Sequence, residues 1–232
     1  DVLRQTLPNG ITVLARENWS APSVVVEGYL MVGNLDEGAN PPGLASFTVS
    51  MLSRGTKNRT FAEINETIEG VGASIGFSAG RHITNFSTKS LAEDSDLVLD
   101  VLSDELRRPA FPAEYVERIR GMRLTAIAER ENDTRQMAGR TFRETMYGTH
   151  PLGRDMLGTK EAVKSIQRNA LAAFYETYFR PKGMVVTVVG AIRAEEAVRK
   201  IERAFGDWEG SRPERSSLPP LAPLSEIRRR QV

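Results

Sequence analysis

One stretch of the sequence decides the fold, and it reads Gly43-Leu44-Ala45-Ser46-Phe47-Thr48-Val49-Ser50-Met51-Leu52-Ser53-Arg54-Gly55-Thr56. It follows a glycine and closes on another, so it predicts one helix of about three turns with Gly55 near its C-cap. Four apolar residues recur within it at helical spacing: Leu44, Phe47, Met51 and Leu52. This spacing indicates a helix that buries one face in a core.

Three further residues of the stretch share another face of the predicted helix. Ser46, Val49 and Ser50 stand at positions i, i+3 and i+4, which are neighbours on a helix surface. A helix with this spacing can hold a metal ion through two side chains while a carboxylate stands beside them. None of the three residues here is a histidine, a cysteine or a carboxylate.

The surrounding frame resembles a known family. The pattern Gly-Leu-Ala-x-Phe-x-x-x-Met-Leu-x-x-Gly-Thr is similar to a helix of the pitrilysin, insulysin and mitochondrial processing peptidase family of zinc metallopeptidases. In active members this helix carries the inverted zinc motif H-x-x-E-H. The resemblance puts the first histidine at Ser46, the glutamate at Val49 and the second histidine at Ser50.

The replacements remove the chemistry that the motif supplies. A catalytic zinc needs three imidazole, thiolate or carboxylate ligands and a bound water. A neutral serine hydroxyl is a poor ligand, and Val49 offers neither a donor nor a general base. A serine nucleophile would need a neighbouring base, and the stretch contains none. The sequence therefore predicts no catalytic residue, no zinc and no other cofactor.

The third zinc ligand of the family is a glutamate on a later helix. The resemblance places that ligand at Ala126, so this position is also degenerate. Glu129 and Glu131 lie nearby but out of register, and we interpret them as solvated charges. The two histidines of the chain are isolated: His82 in a predicted strand and His150 in a predicted surface connection.

The rest of the chain alternates strand and helix patterns. A hairpin is predicted from residues 2–7 and 11–16 around the Pro8-Asn9-Gly10 turn. Further strands are predicted at residues 24–32, 74–79, 81–91 and 184–190, and helices at 60–69, 95–106, 112–130, 135–147, 169–178 and 193–205. The resemblance implies an α+β fold in which helices cover one face of a mainly antiparallel sheet.

One predicted strand is a candidate binding site. In the family, the strand that corresponds to residues 74–79 is a sheet edge that lines the cleft and pairs with the substrate backbone. The resemblance therefore implies that an extended peptide could add to this edge by β-augmentation. The residues concerned are Ser74, Ile75, Gly76, Phe77, Ser78 and Ala79. The alternative is a plain sheet edge without a ligand.

A change of composition suggests a domain boundary near residue 210. We expect residues 1–210 to form one processing-peptidase-like domain. Residues 211–232 are rich in proline and serine, so we expect an exposed linker and the start of a second half that the chain lacks. The basic cluster Arg228-Arg229-Arg230 has no aromatic neighbours and is interpreted as solvated charge.

Composition narrows the range of partners. The 31 basic and 30 acidic side chains nearly balance, which argues against a nucleic-acid surface or an electrostatic membrane anchor. The chain has no cysteine, so disulfides and thiolate metal sites are excluded. No apolar run approaches the roughly 20 residues that span a bilayer. The compartment is left open.

Together these features lead to one main hypothesis and two alternatives. The main hypothesis is an inactive half or subunit that forms a peptide-binding chamber with an active zinc-peptidase subunit, as a heterodimer, or with the second half of its own protein. The first alternative is an assembly or interaction protein that retains only the fold. The second is an active metallopeptidase whose ligands have been relocated.

Overall fold

The computed structural model describes residues 1–221, 226–227 and 229–230. The strands within them are β1 (Leu3–Thr6), β2 (Thr12–Glu17), β3 (Ser23–Leu30), β4 (Ser74–Ala79), β5 (Thr84–Leu91) and β6 (Val185–Gly190). The α-helices within them are α1 (Leu44–Met51), α2 (Phe61–Gly70), α3 (Ser95–Arg107), α4 (Ala113–Glu131), α5 (Thr134–Tyr147), α6 (Lys160–Ser165), α7 (Arg168–Tyr178) and α8 (Ala194–Phe205).

The six strands form one sheet in the order β1-β2-β6-β3-β5-β4. Only β2 and β6 run parallel, with Thr12 opposite Val185, and the other four neighbouring pairs are antiparallel. The predicted hairpin is present as β1 and β2. Its turn is tied to the end of α8 because the Asn9 side-chain amide donates to the carbonyl of Phe205 at 2.7 Å.

The sheet has one buried face and one open face. Along β5 every second residue is buried: Thr84, Phe86, Thr88 and Ser90. The residues between them are exposed, which is the alternation expected when helices cover a single face. Helices α1, α3 and α8 pack against the sheet, on β4, β5 and β2 respectively. The predicted α+β fold, with a mainly antiparallel sheet and helices on one face, is confirmed.

The helix in the decisive stretch is shorter than predicted. It has eight residues, about two turns instead of three. A turn follows the helix, closed by a hydrogen bond of 3.0 Å from Arg54 N–H to the Met51 carbonyl. Gly55 comes next, with a φ of +116°. The start requires Gly43, because a Cβ there would lie 2.8 Å from the Leu157 carbonyl oxygen. The four apolar residues of the stretch are all buried: Leu44, Phe47, Met51 and Leu52.

Two other details differ from the prediction. His82 lies in the turn between β4 and β5, because β5 begins at Thr84 and not at residue 81. Helix α6 was not predicted, since six residues are too few to show a clear apolar period. None of the helices in the part of the chain that the structure describes has both the length and the hydropathy required to cross a membrane.

The segment after residue 210 is more than an exposed linker. Residues 211–221 contain no helix or strand, but Arg212 and Arg215 are only partly exposed. Both guanidinium groups pair with the carboxylate of Asp36, at 3.1 Å and 2.6 Å, and that carboxylate is buried. Residues 222–225, 228 and 231–232 lie outside the described residues, and they include Arg228 of the basic cluster and part of the expected start of a second half. The domain boundary at 210 stays a prediction.

One buried carboxyl group on α3 has no ion-pair partner within the described residues. Glu105 is 1% exposed, and its Oε2 atom makes no hydrogen bond there. Burial raises the pKa of Glu105 to about 8, and the negative charge of Asp104 acts in the same direction. The positive charge of Arg54 acts against this shift. The carboxyl group is therefore mainly protonated at neutral pH.

The replacement Glu105→Gln is expected to stabilise the protein increasingly as the pH rises. The unfolded glutamate ionises near 4.5, whereas the folded one keeps its proton to about 8, so raising the pH between these values favours unfolding of the wild type. Glutamine cannot ionise, and the variant should gain roughly 2–4 kcal/mol over the wild type by pH 8. Urea unfolding from pH 4.5 to 8.5 measures this. The exposed Glu114→Gln is the control, and a pH-independent difference for Glu105→Gln would contradict the prediction.

Candidate functional site

The three degenerate motif residues lie together on α1, as their spacing predicted. Val49 is 4% exposed. The Ser46 hydroxyl donates to a main-chain carbonyl, either that of Met156 or that of Gly43. The Ser50 hydroxyl donates to the Ser46 carbonyl at 2.9 Å. Both serine oxygens are left with lone pairs that point away from α1.

An arginine from α4 fills the space between the two serines. Arg123 donates from Nη1 to Ser46 Oγ and from Nη2 to Ser50 Oγ, both at 3.1 Å. Nη1 also donates to the Leu157 carbonyl at 3.3 Å. The guanidinium carbon lies 4.9 Å from the centre of the Phe47 ring, within cation–π distance. One positive group thus joins α1, α4 and the loop that contains Leu157.

This arginine stays charged although it is 93% buried, its exposed fraction being 7%. Burial lowers the pKa of Arg123 to about 10, and the negative charge of Glu37 opposes the shift. A pKa of about 10 keeps nearly all of the side chains protonated at neutral pH. The three hydrogen-bond acceptors are neutral oxygens, so they solvate the positive charge without cancelling it.

A buried carboxyl group lies at the start of α1. Glu37 is fully buried and accepts hydrogen bonds from the main-chain N–H groups of Gly43 and Ala45, at 3.1 Å and 2.9 Å. Asn34 donates a third bond from its side chain at 2.9 Å. Burial raises the pKa of Glu37 to about 7, although these bonds and Arg154 pull it down. The residue is therefore only partly ionised at neutral pH.

The loop after α5 contacts Ser46 and the start of α1. The Ser46 hydroxyl and the Asn34 side chain both reach the Met156 carbonyl, and the Leu157 carbonyl accepts from Arg123. Gly158 takes a φ of +88°, and a Cβ there would lie 2.5 Å from the Pro42 carbonyl oxygen. The loop therefore approaches the start of α1 through contacts between main chains.

Ala126, the position that the resemblance assigned to the third ligand, is exposed on α4. It lines the same cavity as Val49 and Ser50, and Ser46 is joined to this cavity through its hydrogen bond with Arg123. Arg123 precedes Ala126 by three residues on the same helix face. Sequence reasoning missed it, because α4 also carries Arg118 and Arg120 and the spacing alone does not single out Arg123.

The residues at the site do not fit a zinc ion. Two serine hydroxyls, a valine, an alanine and a guanidinium offer no imidazole, thiolate or carboxylate ligand. Among residues 1–221 and the few described beyond them, no three histidine, cysteine, aspartate or glutamate side chains come together as a metal-binding group. The histidines serve elsewhere: His150 accepts from Leu152 N–H at 3.1 Å, and His82 lies 3.2 Å from Arg215.

A cavity of about 380 Å³ opens beside these residues, between α1, α4 and β4. Phe77 of β4 lines it, together with Ser50, Arg54 and Arg123. Met122, which is 58% exposed, stands at the rim. The degenerate site is thus open to the edge strand.

The edge strand has the position and the bounds that the sequence predicted. β4 is the last strand of the sheet and spans Ser74 to Ala79. Beyond it, Gly80 N–H bonds to the Ile83 carbonyl at 2.8 Å, so residues 80 and 83 form a hydrogen-bonded pair. Because bonded and non-bonded pairs alternate in antiparallel strands, residues 75, 77 and 79 point their main-chain N–H and C=O groups away from β5.

Comparison with known proteins gives one consistent family. Residues 12–160 match the family model described as Insulinase (Peptidase family M16), and residues 165–232 match Peptidase M16 inactive domain. An uncharacterized zinc protease of Mycobacterium leprae is 31% identical over 205 residues, covering 88% of this chain and 46% of that protein. A probable mitochondrial-processing peptidase subunit beta of Arabidopsis thaliana is 32% identical over 200 residues, covering 86% and 38%.

The fold is also similar to that of a solved structure. The crystal structure of a peptidase M16 inactive domain from Pseudomonas fluorescens superposes with a TM-score of 0.88 at 22% identity. The match covers 96% of this chain and 54% of that one. This chain therefore spans about half the length, or less, of the curated relatives that it matches.

The two serines and Arg123 are expected to stabilise the protein as one unit. Replacing Ser46 and Ser50 together by alanine should cost about 2–4 kcal/mol, because the buried guanidinium keeps only the Leu157 carbonyl as an acceptor. Adding Arg123→Met should recover part of that loss, since the uncompensated charge is then gone. Urea unfolding of the single and combined variants measures the coupling.

The control for this cycle is Ser53→Ala, which removes a hydroxyl that makes no hydrogen bond within the described residues. It should change the stability by less than about 0.5 kcal/mol. If the serine and arginine changes had strictly additive effects on the free energy of unfolding, the prediction that these residues act as one unit would be contradicted.

Proposed function

The chain belongs to peptidase family M16, as the resemblance of residues 43–56 predicted, and we propose that it is a non-catalytic member that holds peptides. In this proposal it pairs with an active zinc-peptidase subunit, or with the second half of its own protein, and contributes one wall of a peptide chamber. It supplies binding surface and no reacting group.

The observation that carries the proposal is the position of Arg123 between Ser46 and Ser50. A divalent cation at this place would meet a buried positive charge, which repels it strongly where water is excluded. Neither serine oxygen is a good zinc ligand, and each already has hydrogen-bond partners. Without a bound metal, no water would be acidified into a nucleophile by this helix.

The match to an M16 inactive domain does not itself argue for inactivity of this site. That match begins at residue 165, whereas α1 and Arg123 lie in the part that matches the insulinase model. Support for an inactive site comes from the replaced residues and from the guanidinium of Arg123. It does not rest on the name of a matching domain.

Two observations support pairing with a second unit. The chain spans about half the length, or less, of the relatives that it matches, and the Arabidopsis relative is itself named as a subunit. In addition, the open face of the sheet has partly buried apolar residues such as Val25, Val185 and Val189. A second half or subunit would bury them and gain hydrophobic free energy.

The proposal for peptide holding rests on β4. The outward main-chain groups of Ile75, Phe77 and Ala79 have no hydrogen-bond partner beyond the sheet within the described residues. An extended peptide could pair with them and place alternate side chains over the cavity at Phe77. An assembly protein that retained only the fold would not need this edge, so peptide binding at β4 separates the main hypothesis from that alternative.

The purified wild-type chain is expected to hold no stoichiometric zinc after equilibration with zinc and gel filtration. A variant with Ser46→His, Val49→Glu, Ser50→His, Ala126→Glu and Arg123→Ala should acquire it, because a complete ligand set then replaces the guanidinium. Mass-spectrometric metal analysis measures the content.

The matched control carries the same changes at Ser46, Val49, Ser50 and Ala126 but keeps Arg123. It should bind zinc more weakly, because the positive charge remains at the site. Stoichiometric zinc in the wild type would overturn the proposal and favour the alternative of relocated ligands.

Binding of an extended peptide with blocked ends should depend on the free edge of β4. Ile75→Pro removes one outward N–H and disturbs its neighbours, so the affinity should fall about tenfold. Fluorescence anisotropy with a labelled peptide measures it, and circular dichroism verifies the fold.

The control is Thr6→Pro, which makes the same backbone change on β1 at the opposite edge of the sheet. Leu7 N–H bonds to the Ile11 carbonyl at 2.8 Å, so the N–H of residue 6 points outward by the same alternation. Equal loss of affinity in both variants, or no binding by the wild type, would sink peptide holding at β4.

A further inference from the structure

The cavity between α1, α4 and β4 has a distinct charge. The described residues that line it include two arginines, Arg54 and Arg123, and no aspartate or glutamate. The other walls are mainly apolar and include Phe77 and Met122. The cavity is therefore positively charged, of side-chain size, and open at the edge strand.

The positive charge of Arg123 is not cancelled inside the protein. Its terminal nitrogens donate to hydroxyl and carbonyl oxygens, which are neutral. Its Nε atom is buried and has no hydrogen-bond partner within the described residues. The negative charge that stabilises Arg123 is that of Glu37, and burial raises the pKa of Glu37 to about 7. Only partial compensation is available at neutral pH.

Arg54 is in a similar situation at the other side of the cavity. Its guanidinium carbon lies 4.9 Å from the centre of the Phe61 ring, and its buried Nε has no hydrogen-bond partner in the described part of the chain. The carboxyl group that interacts with it electrostatically is that of Glu105 on α3, which is mainly protonated at neutral pH. The neighbouring Asp104 is already paired with Arg59 and Arg108.

The geometry of β4 decides which part of a bound peptide meets these arginines. The side chain of Phe77 lies on the helix side of the sheet and lines the cavity. In a strand added to β4, the residue opposite Phe77 would point its side chain to the same face. That side chain would enter the cavity between Arg54 and Arg123.

We propose that this cavity selects an acidic side chain, aspartate or glutamate, on an extended peptide that adds to β4. The inference rests on the proposed peptide-holding function and specifies its ligand. A carboxylate would pair with two guanidinium groups that lack a full counter-charge, and charge-assisted hydrogen bonds of this kind are the strong ones. A lysine or arginine side chain would meet like charge and be rejected.

The test uses three labelled peptides of extended character with acetylated and amidated ends, identical except for Glu, Gln or Lys at one central position. The full chain is titrated against each at pH 7 by fluorescence anisotropy. The Glu peptide should bind about tenfold more tightly than the Gln peptide, and the Lys peptide most weakly. Added salt should reduce the difference between Glu and Gln.

Variants of the chain locate the preference. Arg54→Gln should bring the ratio of Glu to Gln affinities towards one, and Arg54→Lys should restore part of it. The matched control is Arg118→Gln, which removes the same charge from an exposed position on α4, and it should keep the wild-type ratio. Thermal unfolding of each variant confirms that it is folded.

The outcomes separate this inference from the function on which it rests. Equal binding of the Glu and Gln peptides by the wild type, or a ratio that survives Arg54→Gln, would overturn the acidic preference and leave peptide holding at β4 intact. A ratio lost equally in Arg118→Gln would also overturn it, since the effect would then reflect net charge alone. Failure of all three peptides to bind would overturn both.

Discussion

The buried guanidinium of Arg123 is the interaction on which the degenerate site depends. It joins α1 to α4 through Ser46 and Ser50, and it reaches the following loop through the Leu157 carbonyl. A charge that is 93% buried is stable only when polar groups replace the water that it has lost. Three oxygen acceptors, the face of Phe47 and the field of Glu37 do this. One side chain therefore links the helix pair to the loop, beside the hydrogen bond from Ser46 to the Met156 carbonyl.

The local charge at this place is positive, yet the chemistry differs from that of a metal site. A metal ion polarises water and substrate, whereas a guanidinium attracts and orients anions. Two nearby carboxyl groups, Glu37 and Glu105, could have neutralised the arginines. Burial raises the pKa of each, to about 7 and about 8, so neither does so fully at neutral pH. The residues that remain therefore give the site a positive charge and no metal ligand.

The topology brings this environment next to a surface that can pair with another chain. β4 is the edge of the sheet, and α1 packs against it, so the positive cavity opens at the free strand. The loop around Gly158 lies close to the start of α1, because a Cβ at Gly43 or at Gly158 would collide with the main chain of the other segment. The loop also contacts Ser46 through the Met156 carbonyl. The cavity is lined by β4 and by Met122.

The sequence alone predicted the six strands, the α-helices apart from α6, and the missing ligands. Apolar spacing located α1, the Pro-Asn-Gly turn located the first hairpin, and a valine-rich run located β6. The bounds of β4 were predicted correctly, and the frame of residues 43–56 identified the family. Replaced ligands are visible in a sequence because ligand chemistry belongs to the residue type. Only the tertiary structure decided what occupies their place. α4 also carries Arg118 and Arg120, and local spacing does not say which arginine turns inward. Ser46 and Arg123 are 77 residues apart, so their contact follows from the packing of two helices and cannot be read from either helix alone.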